Sequence, residues 1–142
     1  MSNSVRQVVE GKPRRVLSVA PESSVLAALQ LMSQHDVGAL VVLDGERLAG
    51  IFSERDYARK VILQGKSSKE TTVGEIMTHW VVCVRPDQSI EECMALMTEK
   101  RIRHLPVLDH KKVVGMISIG DVVKAVISEQ RFVIEQIGRA HV

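Results

Sequence analysis

A seven-residue pattern occurs twice in this chain, at an interval of about 65 residues. Residues 50–56 read Gly-Ile-Phe-Ser-Glu-Arg-Asp, and residues 115–121 read Gly-Met-Ile-Ser-Ile-Gly-Asp. At this offset the sequence aligns with itself without a gap over residues 16–61, and roughly a third of the aligned positions are identical. A period of this length predicts a duplicated domain, because a solenoid repeats a shorter unit many times.

Each half predicts the same order of elements: strand, helix, strand, strand, helix. Short runs rich in β-branched residues predict the strands, and serines placed before an apolar helical period predict the helix starts. The predicted strands cover 16–19, 40–43 and 48–52 in the first half and 81–84, 105–108 and 113–117 in the second. The predicted N-caps are Ser23 or Ser24 and Asp87 or Ser89, and the final helices begin near Ser53 and Ser118.

Apolar residues at helical spacing predict the buried face of each helix. The predicted stripes are Val25, Leu29 and Met32; Ile90, Met94 and Met97; and, in the last helix, Val122, Val126, Ile127, Ile134 and Ile137. Cys93 belongs to the second stripe, which favours a buried thiol.

The predicted fold class is α/β (α+β), with two βαββα repeats. The first repeat, with an N-terminal helix, covers 1–66, and a polar linker covers 67–72. The second repeat, with a short leading helix and an extended last helix, covers 73–137, and 138–142 form a frayed tail. A unit of about 60 residues buries little of its surface, so we expect the repeats to pack sheet to sheet around a pseudo-twofold cleft.

The serine and the aspartate of the repeated pattern have two interpretations. Serine followed three residues later by an acid, at a helix start, is typical of a capping box, although that motif prefers Glu or Gln to Asp. A strand that runs directly into a helix also presents free N–H groups to an anion, and a nearby carboxylate can accept hydrogen bonds from ribose hydroxyls. The residues alone leave both interpretations open.

The repeated pattern, together with the strand His-Leu-Pro-Val-Leu-Asp at 104–109, resembles the CBS domain, which is named after cystathionine β-synthase. The doubled copy resembles the tandem arrangement called a Bateman module, in its stand-alone bacterial form. The resemblance covers nearly the whole chain, from about residue 5 to residue 130.

This resemblance implies regulatory binding of an adenine nucleotide. It implies that Asp56 and Asp121 hold the ribose hydroxyls, with help from Ser53 and Ser118. The other implied ligand-binding residues are Leu17, Gly38, Ala39, Thr78, Val82, Arg103, His104 and Pro106, and the phosphate is expected to meet Arg55, Arg59, Arg103 or Lys124. Val41 replaces the proline found at 106, and Gly38 lacks the side chain of Arg103, so we expect two unequal sites.

The resulting hypothesis is a sensor, not an enzyme, in which a ligand that bridges both halves shifts the population of conformations. AMP is the first choice of ligand, followed by ATP or ADP, with NAD possible; no catalytic cofactor is expected. A homodimer and a regulated protein of unknown identity are the expected partners. The alternatives are an enzyme that acts on a small molecule in the same cleft, and a scaffold or nucleic-acid-binding module without ligand.

Composition argues against several other classes. No uninterrupted apolar run is longer than the one at 39–43, which is far shorter than the roughly 20 residues that span a bilayer. The first residues show no secretory pattern, and two cysteines make no disulfide framework, so we expect the cytoplasm.

The basic residues at 12–15 favour a solvated turn over a nucleic-acid contact, since the net charge is only +2. The histidines and cysteines match no metal-ligand spacing. Trp80 has two open interpretations, stacking on adenine or packing at the cleft rim.

Overall fold

The structure, a computed structural model, describes residues 4–13 and 16–128. Its elements in chain order are α1 (Val5–Glu10), β1 (Ser18–Val19), α2 (Val25–His35), β2 (Ala39–Asp44), β3 (Arg47–Ser53), α3 (Glu54–Tyr57), a π-helical turn (Ala58–Ile62), α4 (Val73–Ile76), α5 (Ile90–Lys100), β4 (His104–Asp109), β5 (Lys112–Ser118) and a helical segment at 119–128, α6. The predicted mixture of helices and strands is confirmed.

The chain divides into two compact units. The first unit comprises Val16–Val82 and His110–Val113. The second comprises Met1–Arg15, Cys83–Asp109 and Val114–Val142.

The sheet of the first unit has the strand order β1-β2-β3. Strand β1 runs parallel to β2, and β2 runs antiparallel to β3, so that Ala39 lies opposite Ser53. The connecting turn contains Gly45 at φ 66, a left-handed conformation that glycine adopts at little cost. Strand β3 of this sheet ends at Ser53, which caps α3, and the motif aspartate Asp56 is the third residue of that helix.

The longer helices start where the serines predict. The side chain of Ser24 accepts a hydrogen bond from the backbone N–H of Ala27 and caps α2, and Ser89 caps α5 in the same way. The buried residues of the two helices are Val25, Ala28 and Met32, and Ile90, Cys93 and Met97. The prediction that Met94 is buried is wrong: this side chain is 40% exposed. Cys93 occupies the core-facing position next to it, one residue earlier on the helix.

The second unit contains the hairpin of β4 and β5. The strand predicted at 81–84 is reduced to a single parallel bridge between Val84 and Val107. The N–H of Val84 donates to the carbonyl of Pro106 at 3.0 Å, and the carbonyl of Val84 accepts from the N–H of Leu108 at 2.9 Å. In α6, Val122 is buried as predicted but Ile127 is exposed. The extension of this helix to residue 137 and the frayed tail lie outside the described residues.

Helix α1 belongs to the second unit, not to the repeat that follows it in sequence. Its first N–H groups, at Val5 and Arg6, donate to the carbonyls of Gln88 and Pro86 at 2.9 and 3.0 Å. Helix α4 belongs to the first unit, where Val73 is fully buried. The spatial grouping therefore differs from a division of the chain at the linker 67–72. Helix α1 precedes the first repeat in sequence but groups with the second, and α4 precedes the second repeat but groups with the first.

Candidate functional site

Each motif aspartate forms a reciprocal pair of hydrogen bonds with the serine three residues before it. The N–H of Ser53 donates to Asp56 Oδ2 at 3.0 Å, and the N–H of Asp56 donates to Ser53 Oγ at 3.2 Å. The corresponding distances between Ser118 and Asp121 are 2.8 and 3.1 Å. The capping interpretation is therefore confirmed in both copies, and the part of each aspartate in ligand binding stays a prediction.

Asp56 lies at the centre of a dense set of donors and is only 6% exposed. Its Oδ2 also accepts from the hydroxyl of Ser53 at 3.0 Å. Its Oδ1 accepts from the hydroxyl of Thr78 at 3.0 Å and lies 3.0 Å from Lys60 Nζ. A carboxylate offers about four lone-pair positions, so these groups together with the Ser53 N–H fill its accepting capacity.

Lys60 and Thr78 are themselves fixed by the backbone around them. Lys60 Nζ donates to the carbonyl of Ile76, the last residue of α4, at 3.1 Å. Thr78 exchanges two backbone hydrogen bonds with Ile51 of β3, at 3.0 and 2.9 Å. Asp56 is thus tied to its own helix and also to the segment that follows α4.

Asp121 has a different environment, in which the described residues contact one of the two carboxylate oxygens. Its Oδ2 accepts from the N–H of Ser118 and from Lys12 Nζ at 2.9 Å. Among residues 4–13 and 16–128, no group donates a hydrogen bond to Oδ1. The side chain is 18% exposed. Within the described residues, the two motif aspartates therefore differ in the number of groups that donate to them. The inequality of two ligand sites stays a prediction.

The pKa of Asp121 lies below its ordinary value. Burial acts to raise the pKa, but the hydrogen bonds from Lys12 and Ser118 and the charge of Lys12 outweigh it. The carboxylate is therefore ionised at neutral pH and accepts, without donating, hydrogen bonds.

Lys12 does not belong to a solvated basic turn, which corrects the prediction for this residue. Its side chain is 31% exposed, and its Nζ donates to Asp121 Oδ2 and to the carbonyl of Met116, both at 2.9 Å. Arg14 and Arg15, the two arginines of that cluster, lie outside the described residues.

The glycine that opens each motif admits the segment that contacts the aspartate. A methyl group on Gly50 would lie 2.7 Å from Met77 Sδ and from the carbonyl oxygen of Thr78. A methyl group on Gly115 would lie 2.7 and 2.8 Å from the two terminal methyl groups of Val9. At Gly50 the close contact includes a backbone oxygen, so glycine is required where Thr78 crosses the strand. At Gly115 the close contacts are with the Val9 side chain, which a larger residue would have to displace.

The remaining predicted site residues either contact the motif through their backbone carbonyls or differ in how exposed they are. The carbonyls of Gly38 and Arg103 accept hydrogen bonds from the residues after the motif serines, Glu54 and Ile119, at 3.0 and 2.8 Å. Ala39 and Pro106 are buried, Leu17, Val82 and His104 are half-buried, and Arg55, Arg59, Arg103 and Lys124 are exposed. Their roles in ligand binding stay predictions.

His104 stands near the Asp121 pair. Burial lowers its pKa most, and the charges of Lys12 and Arg103 lower it further against the opposing effect of Asp121. The imidazole is therefore neutral at physiological pH and adds no positive charge to the site.

Two lysines were absent from the predicted site. Lys60 lies four residues after Asp56, a spacing at which side chains on a helix meet, so the sequence held a signal for it. Lys12 lies 109 residues from Asp121, and no local pattern indicates that contact.

Other kinds of site receive no support from the described part of the chain. In residues 4–13 and 16–128, no three His, Cys, Asp or Glu side chains are grouped so that they could hold a metal ion. No helix in the same ranges combines the length and apolar character needed to cross a membrane. Trp80 is 93% exposed, and its stacking on a ligand stays a prediction.

Comparison with known proteins identifies similar chains. Residues 5–62 and 73–128 each match the model of the CBS domain family. The mitochondrial CBS domain-containing protein CBSX3 of Arabidopsis thaliana is 45% identical over 139 residues, which cover 92% of this chain and 68% of that protein. A solved structure of a protein with CBS domains from Burkholderia ambifaria MC40-6 is 54% identical, with a TM-score of 0.86, and covers 90% of this chain and 96% of that one.

One more distant structure is also similar in fold. The CBS domain pair of MJ0100, solved in complex with 5′-methylthioadenosine and S-adenosyl-L-methionine, has a TM-score of 0.81 and 24% identity. The comparison covers 91% of this chain and 99% of that one.

Proposed function

The chain belongs to the CBS domain family, and we propose that it is a regulatory module that binds an adenine nucleotide, with AMP as the first choice. ADP, ATP and NAD are the next candidates. The observation that carries the proposal is Asp121, an ionised carboxylate at a helix start, one oxygen of which receives no hydrogen bond from residues 4–13 or 16–128.

The chemistry of this carboxylate suits a sugar. An ionised carboxylate accepts hydrogen bonds, and each hydroxyl of a ribose can donate one. Asp56 is less suited, because four donor groups already surround it. The fold has a precedent for such ligands, since the domain pair of MJ0100 was solved with two adenosine compounds. We infer that the second unit contains the stronger site.

Binding, without catalysis, is the favoured activity. Burial, followed by the charge of Glu92, raises the pKa of Cys93 to about 11, so its reactive thiolate is scarce at neutral pH. This disfavours Cys93 as the nucleophile of a thiol enzyme. In the proposed mechanism the ligand favours one conformation of the module, and a homodimer or a separate regulated protein responds to that conformation. We keep the cytoplasm as the proposed compartment.

Thermal unfolding with a panel of ligands tests this function. AMP, ADP, ATP, NAD and S-adenosylmethionine are added separately, with GMP and inorganic phosphate as controls. A ligand at about 100 times its dissociation constant stabilises the folded state by roughly 2.7 kcal/mol, which raises the midpoint by several degrees. A shift with an adenine ligand, and none with phosphate, supports the proposal. If every adenine ligand leaves the midpoint unchanged at millimolar concentration, the proposal is wrong.

A further inference from the structure

We propose that Lys12 is a second sugar-binding residue, and that Lys12 and Asp121 together bind the two neighbouring ribose hydroxyls. The inference rests on the proposed nucleotide-binding function and adds a specificity-determining residue to it. Lys12 comes from the segment after α1, far from the motif in sequence.

Lys12 has one N–H donor that no described residue uses. An ammonium group carries three N–H donors. In the described residues, two of these are used, one by Asp121 Oδ2 and one by the carbonyl of Met116. The side chain is 31% exposed, so the third donor is within reach of solvent and of a ligand.

The open groups on the two side chains are complementary to a vicinal diol. One hydroxyl donates to Oδ1 of Asp121, an oxygen to which no group in the described part of the chain donates. The neighbouring hydroxyl accepts from the third N–H of Lys12, because a hydroxyl oxygen has two lone pairs. The opposite charges of the pair offset each other, so the pair selects the sugar and leaves the phosphate to other cations.

Lys12 is held in place before any ligand arrives. Val9 packs against Gly115, and the first N–H groups of α1 are bonded to the carbonyls of Pro86 and Gln88. Because the Lys12 side chain is already ordered in the unliganded protein, little conformational entropy is lost when a ligand binds to it, and this favours binding.

The first unit has the same kind of ion pair but lacks the open acceptor. Lys60 Nζ lies 3.0 Å from Asp56 and donates to the carbonyl of Ile76. Thr78 and Ser53 occupy the other positions on Asp56. Lys60 therefore provides a matched control, namely a lysine paired with a motif aspartate that is not expected to bind the sugar.

Calorimetric titration of the full chain with AMP, 2′-deoxy-AMP and 3′-deoxy-AMP tests the role of Lys12. For the wild type, we expect each deoxy analogue to bind about tenfold or more weakly than AMP. Lys12→Met should weaken AMP by about tenfold and should no longer distinguish AMP from one of the two analogues. Lys60→Met should retain the wild-type order and affinities.

Three results would overturn the inference. The first is that Lys12→Met binds AMP as tightly as the wild type does. The second is that Lys12→Met binds AMP and both analogues more weakly by the same factor, which indicates a structural role only. The third is that the wild type binds AMP and the two analogues equally, a result that does not depend on any variant folding. In each case AMP still binds the wild type and the proposed function stands; if the wild type binds no adenine nucleotide, the function and the inference fail together.

Discussion

The hydroxyl of Thr78 donates a hydrogen bond of 3.0 Å to Oδ1 of Asp56, 22 residues earlier in the chain. The family resemblance implies that both residues face a ligand, whereas in this structure they bind each other. The contact uses an acceptor position that a ribose hydroxyl would need, and it ties the segment after α4 to the motif of the first unit. Asp56 therefore stabilises the fold, and this is why we propose Asp121, its counterpart in the second unit, as the ligand-binding aspartate.

Replacing Thr78 by valine should lower the free energy of unfolding by about 1.5–3 kcal/mol, because the hydrogen bond to a charged, buried carboxylate is lost. Denaturant unfolding followed by circular dichroism measures this change. Thr98→Val is the matched control: its hydroxyl donates to the carbonyl of Met94 on an exposed helix face, and its loss should cost less than about 0.5 kcal/mol. Equal effects of the two substitutions would contradict the proposed contact with Asp56.

Replacing Gly50 by alanine should destabilise the protein by about 1–3 kcal/mol, because the new methyl group meets a backbone oxygen at 2.7 Å. Gly120→Ala is the control within the other motif. The nearest atom to its added methyl group is 3.6 Å away and the residue is helical, so this change should be neutral or stabilising by up to about 1 kcal/mol. Denaturant unfolding followed by circular dichroism measures both changes. A Gly50→Ala variant with wild-type stability would show that Met77 and Thr78 do not lie against the strand at Gly50.

Stability should depend on pH through Asp121. Because its pKa is lowered in the folded state, its ionised form contributes stability above the ordinary carboxyl pKa, and this contribution is lost as pH falls through the folded-state pKa. The stability difference between wild type and Asp121→Asn should therefore be largest near pH 7 and should shrink below about pH 4. Asp87→Asn, in an exposed ion pair with Arg85, should show a small difference at every pH. A gap for Asp121→Asn that grows in acid would contradict the lowered pKa.

Cys93 should resist thiol reagents in the folded protein. It is buried, and its pKa of about 11 leaves little thiolate at pH 7.5. In a Cys83→Ser variant, which leaves Cys93 as the only thiol, reaction with a maleimide should be slow until denaturant is added. Rapid native-state labelling of that variant would mean that the α5 stripe is not packed as described.

The sequence predicted the elements better than it predicted the contacts between them. The repeat fixed which segments form strands, and Ser24 and Ser89 cap their helices as the pattern indicates. Strand pairing around Val84 was overestimated, because a β-branched run does not specify how much backbone it pairs. The motif residues were identified, but Lys12 was missed because its partner lies 109 residues away and only the packing of α1 brings them together.

Binding of an adenine nucleotide through the Asp121 carboxylate is the proposal on which the other binding predictions depend. Calorimetric titration of AMP into the wild type, Asp121→Ala and Asp56→Asn tests it most directly, with circular dichroism confirming that each variant is folded. The account predicts one AMP site per chain in the wild type, its loss in Asp121→Ala, and its retention in Asp56→Asn. AMP binding that survives in folded Asp121→Ala with wild-type affinity would contradict the account.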